Sequence, residues 1–327
     1  MLTIAVTLGD PAGVGPEIVA RALADALTPD ARYLVLGSEP VFHRAAERAG
    51  VRLDVRRVSS VRECGDSRFS IWPVGDDVVP APGRPSIETG RAALAAIDLG
   101  MELAMARKVD ALATAPVSKR HIAEGGVPFM GHTEYLAARA QVKHAVMFFT
   151  SAKIRVALVT THLAVRKVAA ALTVDRIVST IAIADDGLRR FFGVMEPRIA
   201  VSGLNPHAGE GGQFGREEID VIAPAVEAAR ARGLNVEGPL PGDTIFRRVM
   251  AGDFSAAVCM YHDQALGPVK TLDRAATNVT LGLPFLRTSV DHGTAFDIAG
   301  TGKADAAPMA GCIKVACEMA RATASLL

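Results

Sequence analysis

The feature that most constrains this fold is an alternation. Short apolar runs ending in Gly, Asn, Asp or His take turns with longer stretches of helical period. Residues 3–8, 33–36, 111–114, 155–160, 198–202 and 256–260 read as strands, and 16–27, 86–106, 174–192 and 217–232 as helices. Pro16 suits a first helical position, and Glu17 sits in the positively polarised first turn. Strands separated by helices must pair largely in parallel, because each helix carries the chain back along the sheet. The expected class is therefore α/β. At 327 residues the chain has room for one large domain or two modest ones. Residues 79–85, rich in Pro and Gly, read as a connector.

Composition closes off several functions. Lys+Arg 36 against Asp+Glu 35 leaves a formal charge of +1, so no bulk field recruits nucleic acid or an anionic membrane. No run reaches the roughly 18 apolar residues of a spanning helix. The opening MLTIAVTLGDPAG lacks a basic n-region and reads as a strand entering a glycine loop rather than a signal peptide. Cys64, Cys259, Cys312 and Cys317 form no CxxC pair and no disulfide scaffold, so a reducing cytoplasm is expected.

Three histidines stand just beyond expected strands: His162 after 155–160, His207 after 198–202 and His262 after 256–260. Ligands of open α/β sheets collect at the carboxyl ends of strands. Three imidazoles there make a metal site with room for water or substrate, although any one alone is more often a surface or cap residue. GHTEYLA opens a helix with His132, Thr133 and Glu134. A helix start offers free N–H groups to a phosphate or carboxylate, and the plainer reading makes Thr133 a helix cap. Lys270, Asn278 and Arg287 form a third set that suits a phosphorylated, carboxylated ligand, against a plain reading as surface charge.

Three glycine loops complete the inventory. GDPAGVGPE matches neither GxxxxGK[ST] nor GxGxxG, so it announces no P-loop and no Rossmann site. Residues 207–218, HAGEGGQFGREE, read as a flexible surface turn. Residues 291–309 carry small side chains that let a backbone wrap a flat ligand, or simply make a tight connector.

Together these segments resemble the 4-hydroxythreonine-4-phosphate dehydrogenase (PdxA) family of vitamin B6 biosynthesis. The resemblance runs from TLGDPAGVGPEI through GHTEYLA, TTHLAV, LNPHAGEGG, PGDTIF and YHDQ to NVTLGLPFLRTSVDHGTAFDIAGTGKAD. It implies a two-lobed α/β/α fold like that of isocitrate and isopropylmalate dehydrogenases. One lobe would comprise 1–128 and 272–327, with the termini and the adenine loop. The other, 129–271, would carry the metal and dimer-interface residues. The resemblance also implies a homodimer with a shared active site, NAD or NADP as cofactor, and one divalent ion (Zn, Mg, Co or Mn). That ion would sit on His162, His207 and His262, one of them supplied by the partner subunit. Substrate roles carry over to His132, Thr133, Lys270, Asn278 and Arg287, and cofactor roles to His292, Gly293, Thr294, Ala295 and Asp297. Asp243, Asp263 and Lys270 are the candidate proton acceptors.

The implied reaction oxidises the C3 hydroxyl of 4-phosphooxy-L-threonine to a β-keto acid that decarboxylates to 3-amino-2-oxopropyl phosphate. Several positions depart from the family pattern. Leu8 stands where many members have proline, and Gln213 and Ala265 replace a frequent histidine and glycine. The Lys270–Asn278 spacing is a residue shorter than in some members. These departures leave room for a paralogue acting on another phosphorylated hydroxy acid, such as erythronate 4-phosphate, or on a cyclic diol carboxylate. An acyltransferase of the phosphate acetyltransferase type and a metal-dependent hydrolase are the rivals from other classes.

Overall fold

A computed structural model describes residues 1–25, 28, 30–273 and 276–325. In chain order its strands are β1 (Leu2–Thr7), β2 (Ala31–Gly37), β3 (Arg56–Arg57), β4 (Phe69–Pro73), β5 (Ala111–Thr114), β6 (Val146–Thr150), β7 (Arg155–Leu158), β8 (Ile199–Ser202), β9 (Val236–Leu240), β10 (Ala256–Cys259), β11 (Thr277–Leu281) and β12 (Arg287–Ser289). The chain divides into two compact units, Met1–Gln141 with Leu283–Ala324, and Val142–Gly282. The sequence-based divisions at 128/129 and 271/272 put His132 and Thr133 in the other half from Arg287. In the structure all three belong to the first unit.

In the first unit the strand order is β3-β4-β2-β1-β5-β12, parallel throughout. Alternation along β2 shows that both faces are covered. Tyr33 points one way, its hydroxyl 3.9 Å from Cys317 Sγ of helix Ala307–Ala324. Leu36 points the other way, toward Gly100 of helix Ile87–Met105, where a Cβ would lie 3.2 Å from Leu36 Cδ1. Strands buried on both sides are mostly apolar, which is why β1 and β2 read as predominantly apolar runs. Helix Ile87–Met105 starts where expected, with Ser86 and Thr89 forming a reciprocal capping box. Helix Gly15–Asp25 covers most of the expected 16–27, and residues 26 and 27 of that expectation lie outside the described residues.

In the second unit the order is β11-β6-β7-β10-β8-β9, parallel except for β6. Phe148 packs against Phe192 of helix Val174–Phe192, with ring centroids 5.6 Å apart. Its neighbour Phe149 joins Val156, Leu158, Ala257, Ile245 and Leu266 in a core beneath helices Gly242–Met250 and His262–Leu272. The expected helix 217–232 is broken into a π-helical turn, Glu218–Ile222, followed by α-helix Ala223–Ala231. Pro224, without an N–H and with a ring that crowds the preceding turn, accounts for the wider turn before it. Among the described residues, no helix is long and apolar enough to cross a membrane.

Candidate active site

In the second unit, β7, β10 and β8 are adjacent and parallel, so their carboxyl ends share one side of the sheet. His162, His262 and His207 follow those three ends. The rings of His162 and His262 come together, with centroids 5.8 Å apart. His262 Nδ1 lies 2.7 Å from Asp263 Oδ1, an arrangement that fixes the ring and leaves Nε2 for a ligand. The pair fits two positions on one divalent ion. His207 does not join it, and its ring instead sits 6.3 Å from Phe214. Among the described residues no group of three or more His, Cys, Asp or Glu side chains could hold a metal ion. Of the three expected ligands, the described structure brings His162 and His262 together.

The loop around His207 is more specified than a flexible turn. His207, Ala208, Gly209, Glu210 and Gly211 all have left-handed backbone, with φ from 42° to 80°. For the three that are not glycine this costs roughly 1–2 kcal/mol each. Glu218, buried under the loop, accepts from Leu204 N and Asn205 N at 2.7 Å and from Asn205 Nδ2 at 2.9 Å. Burial pushes its carboxyl upward, but the donors of Asn205 and Leu204 outweigh this and hold it below the ordinary range.

Gln264 of YHDQ ties the same strand ends together. Its Oε1 accepts from Met260 N at 2.7 Å, and its Nε2 donates to Gly203 O at 2.7 Å and Ser202 Oγ at 3.0 Å. Asp243 is exposed in the first turn of helix Gly242–Met250, whose Gly242 abuts Ser202 and Gln264. Neither Glu218 nor Gln264 was singled out by sequence, although Gln264 adjoins a singled-out His–Asp pair.

Lys270 and Asn278 lie elsewhere in this unit. Lys270 is eight residues along the helix that starts at His262, about 12 Å of rise. Asn278 pairs with Phe149, which pairs with Val156, near the amino end of β7. It therefore sits at the opposite end of the strands from the histidines. Its Oδ1 is buried, with no hydrogen-bond partner among the described residues.

In the first unit, Arg287 is 2% exposed at the start of β12. It donates to Thr114 Oγ1 through Nε at 3.2 Å and Nη2 at 2.8 Å, and Nη1 lies 3.5 Å from Thr133 Oγ1. Burial pushes its pKa down to about 10, with Cys312 and Glu134 opposing the shift. Thr133 is not the helix cap. Helix His132–Arg139 is preceded by Gly131 and has no side-chain cap bond, and Thr133 lies in its first turn beside the Arg287 guanidinium. His132 Nε2 is buried with no hydrogen-bond partner among the described residues, and burial, then Arg287 and Lys119, hold the imidazole well below its ordinary pKa. A neutral imidazole, a hydroxyl, a helix start and a buried guanidinium thus converge, a donor set suited to an anionic group.

The segment after β12 packs on the first glycine loop. Val14 N donates to Thr294 O at 2.9 Å, and Gly300 N to Glu17 Oε2 at 2.9 Å. Gly13 is required by closeness, since a Cβ there would come within 2.9 Å of Thr294 O. His292, Gly293 and Ala295 line a depression of about 430 Å³ with Val14, Ile18 and Ile298. Thr294 is buried beside it, while Asp297 is exposed and not part of its lining. His292 Nε2 is another buried atom with no hydrogen-bond partner among the described residues. An apolar hollow with a few polar atoms fits the flat part of a nucleotide.

Fold and side chains define an α/β enzyme whose reactive groups stand on loops beyond parallel strands. The family described as "Pyridoxal phosphate biosynthetic protein PdxA" matches residues 29–316. A 4-hydroxythreonine-4-phosphate dehydrogenase from Burkholderia vietnamiensis is 46% identical over 98% of this chain and 97% of its own. The crystal structure of 4-hydroxythreonine-4-phosphate dehydrogenase from Klebsiella pneumoniae is 41% identical with a TM-score of 0.90, over 98% of this chain and 100% of that one. A terephthalate 1,2-cis-dihydrodiol dehydrogenase from Burkholderia xenovorans is 30% identical with a TM-score of 0.68, over 96% and 97%. The chain belongs to the PdxA family.

Proposed function

We propose that this enzyme is a 4-hydroxythreonine-4-phosphate dehydrogenase of pyridoxal phosphate biosynthesis, using NAD or NADP and a divalent ion. The observation that carries the reading is the buried Arg287 facing Thr133 and His132 at a helix start. A buried cation with helix N–H groups beside it is built for phosphate or carboxylate, and relatives at 43–46% identity are named for a phosphorylated substrate. When bound, a divalent ion supplies Lewis acidity at the oxidised position and NAD or NADP supplies the hydride acceptor.

His162 and His262 would hold the ion, with His207 coming from the partner subunit. Asp263 fixes the His262 ring, which favours it as an orienting group and leaves Asp243 and Lys270 as proton acceptors. Lys270 and Arg287 neutralise the phosphate and carboxylate of the substrate, His132 and Thr133 take phosphate oxygens, and Asn278 is a further substrate residue. His292, Gly293, Thr294 and Ala295 receive the adenine side of the cofactor, with Asp297 at its margin. The competent unit is a homodimer. What supports this is register: Asn278 is level with Val156 near the amino end of β7, whereas the histidines follow the carboxyl ends of the strands. A second copy that supplies one of the two sets would bring both to one substrate. All four cysteines are buried free thiols, in keeping with a reducing cytoplasm.

The test compares kcat/KM for 4-phosphooxy-L-threonine and unphosphorylated 4-hydroxythreonine, followed at 340 nm with NAD+ and a divalent ion. Loss of a charge-assisted bond costs about 1.5–3 kcal/mol, so the unphosphorylated compound is expected to be roughly ten- to hundredfold poorer. Equal values would refute phosphate reading and move the assignment to diol-carboxylate substrates. Erythronate 4-phosphate turned over far better would move it to the hydroxy-acid paralogue.

A further inference from the structure

We infer that Glu218 is a positioning residue that locks the loop carrying His207, and so sets where that imidazole is presented to the ion. The inference rests on the proposed ligand role of His207. Left-handed backbone at His207, Ala208 and Glu210 is unfavourable for residues with a Cβ, and it persists only where the surroundings impose it.

Here the imposing group is identifiable. Both oxygens of one buried carboxylate are engaged by the chain just before the loop: Leu204 N and Asn205 N on Oε1, Asn205 Nδ2 on Oε2. Glu217 holds the same Nδ2 from its other side at 2.7 Å. The carboxylate also lies under the loop itself, for a Cβ at Gly209 would come within 2.7 Å of Glu218 Oε2. Glu218 belongs to the π-helical turn, whose wider winding distinguishes it from the α-helix that follows. His207 itself is exposed, and among the described residues no hydrogen bond fixes its ring, so the backbone is what aims it.

The test uses the full chain with Co2+ as the probe, read by its visible absorption, in Glu218→Ala, Glu218→Gln and His207→Ala proteins. Amide hydrogen exchange is measured in parallel at Leu204 and Asn205. In Glu218→Ala those two amides should exchange at least about tenfold faster, with β10 unchanged, and Co2+ should bind about 10–100-fold more weakly. Glu218→Gln keeps an acceptor for the two backbone N–H groups but sets its NH2 against Asn205 Nδ2. Its Co2+ affinity should fall only about threefold, a rescue that bulk misfolding would not produce. Wild-type affinity in Glu218→Ala, with His207→Ala weakened, overturns the inference. Wild-type affinity in both overturns the ligand role of His207 instead. If Glu218→Ala does not fold, Glu218→Gln decides, and an unchanged affinity and exchange rate there overturns the inference.

Discussion

Replacing Arg287 by methionine should separate stability from activity. The guanidinium is 2% exposed, and its pKa falls from 12.5 to about 10, chiefly through burial. A shift of that size means that the folded protein disfavours the charged form by roughly 3 kcal/mol. At neutral pH the group is protonated in both folded and unfolded chains, because the working range lies below both pKa values. The cost is therefore constant with pH and appears only in total stability. Methionine removes it, and also removes the bonds to Thr114 Oγ1, worth about 1–3 kcal/mol together. The two nearly cancel, so urea denaturation should place Arg287→Met within about 2 kcal/mol of the parent. Its kcat/KM on the phosphorylated substrate should fall about a hundredfold or more, because a forked, charge-assisted contact is lost. If Arg287 serves only the fold, the outcome reverses. A loss of more than about 4 kcal/mol in stability, with activity per folded molecule intact, would refute the reasoning.

His162→Ala and His262→Ala should each lose bound metal and activity together, read by elemental analysis of purified protein; full occupancy in both would remove the pair as ligands. His132 is held neutral by burial and by Arg287 and Lys119, so its depressed pKa contributes stability that is present above about pH 6.5 and lost as pH falls, at up to about 1.4 kcal/mol per pH unit. His132→Gln should flatten that slope between pH 6.5 and 5, and an unaltered slope would contradict the assignment. Asp10 is fully buried and its carboxyl is raised by burial, against the Ala12 N–H, the Thr89 hydroxyl and His121, so its contribution is fullest below about pH 4 and is lost as pH rises through the folded pKa. Asp10→Asn keeps the acceptor for Ala12 N and should gain up to about 1 kcal/mol at pH 7 by thermal or urea unfolding; a clear loss would mean that the charge itself is required.

Strands such as β1, β5 and β10 were legible because burial on both faces favours predominantly apolar runs. The ones that were not legible fail that rule for visible reasons. β12 is Arg-Thr-Ser, polar at every position, and is a strand because β5 lies alongside it and Thr114 receives its arginine. β9 contains Gly238 and Pro239, residues that disfavour a strand interior, yet it pairs with β8 at the margin of its sheet, where a missing N–H is tolerated. Helix Gly242–Met250 was missed because nine residues following Pro241 offer too short a period to count.

The site divides along a similar line, between what a residue is and what it meets. His162, His207 and His262 could be picked out because a polar, ligating side chain directly after an apolar run has one place to go, the carboxyl end of a parallel sheet. That Asn278 would stand at the other end of the same sheet depends on β6 running antiparallel between β11 and β7, which nothing in the sequence around Asn278 encodes. Glu218 was hidden for a related reason: in sequence it is one more charge at a helix start, and only the fold brings Leu204 and Asn205 over it. Residue type and local position therefore identify the donors of chemistry, whereas strand register and loop closure decide which donors can act on one molecule. In this chain that second step sets the Asn278 end of a sheet against its histidine end.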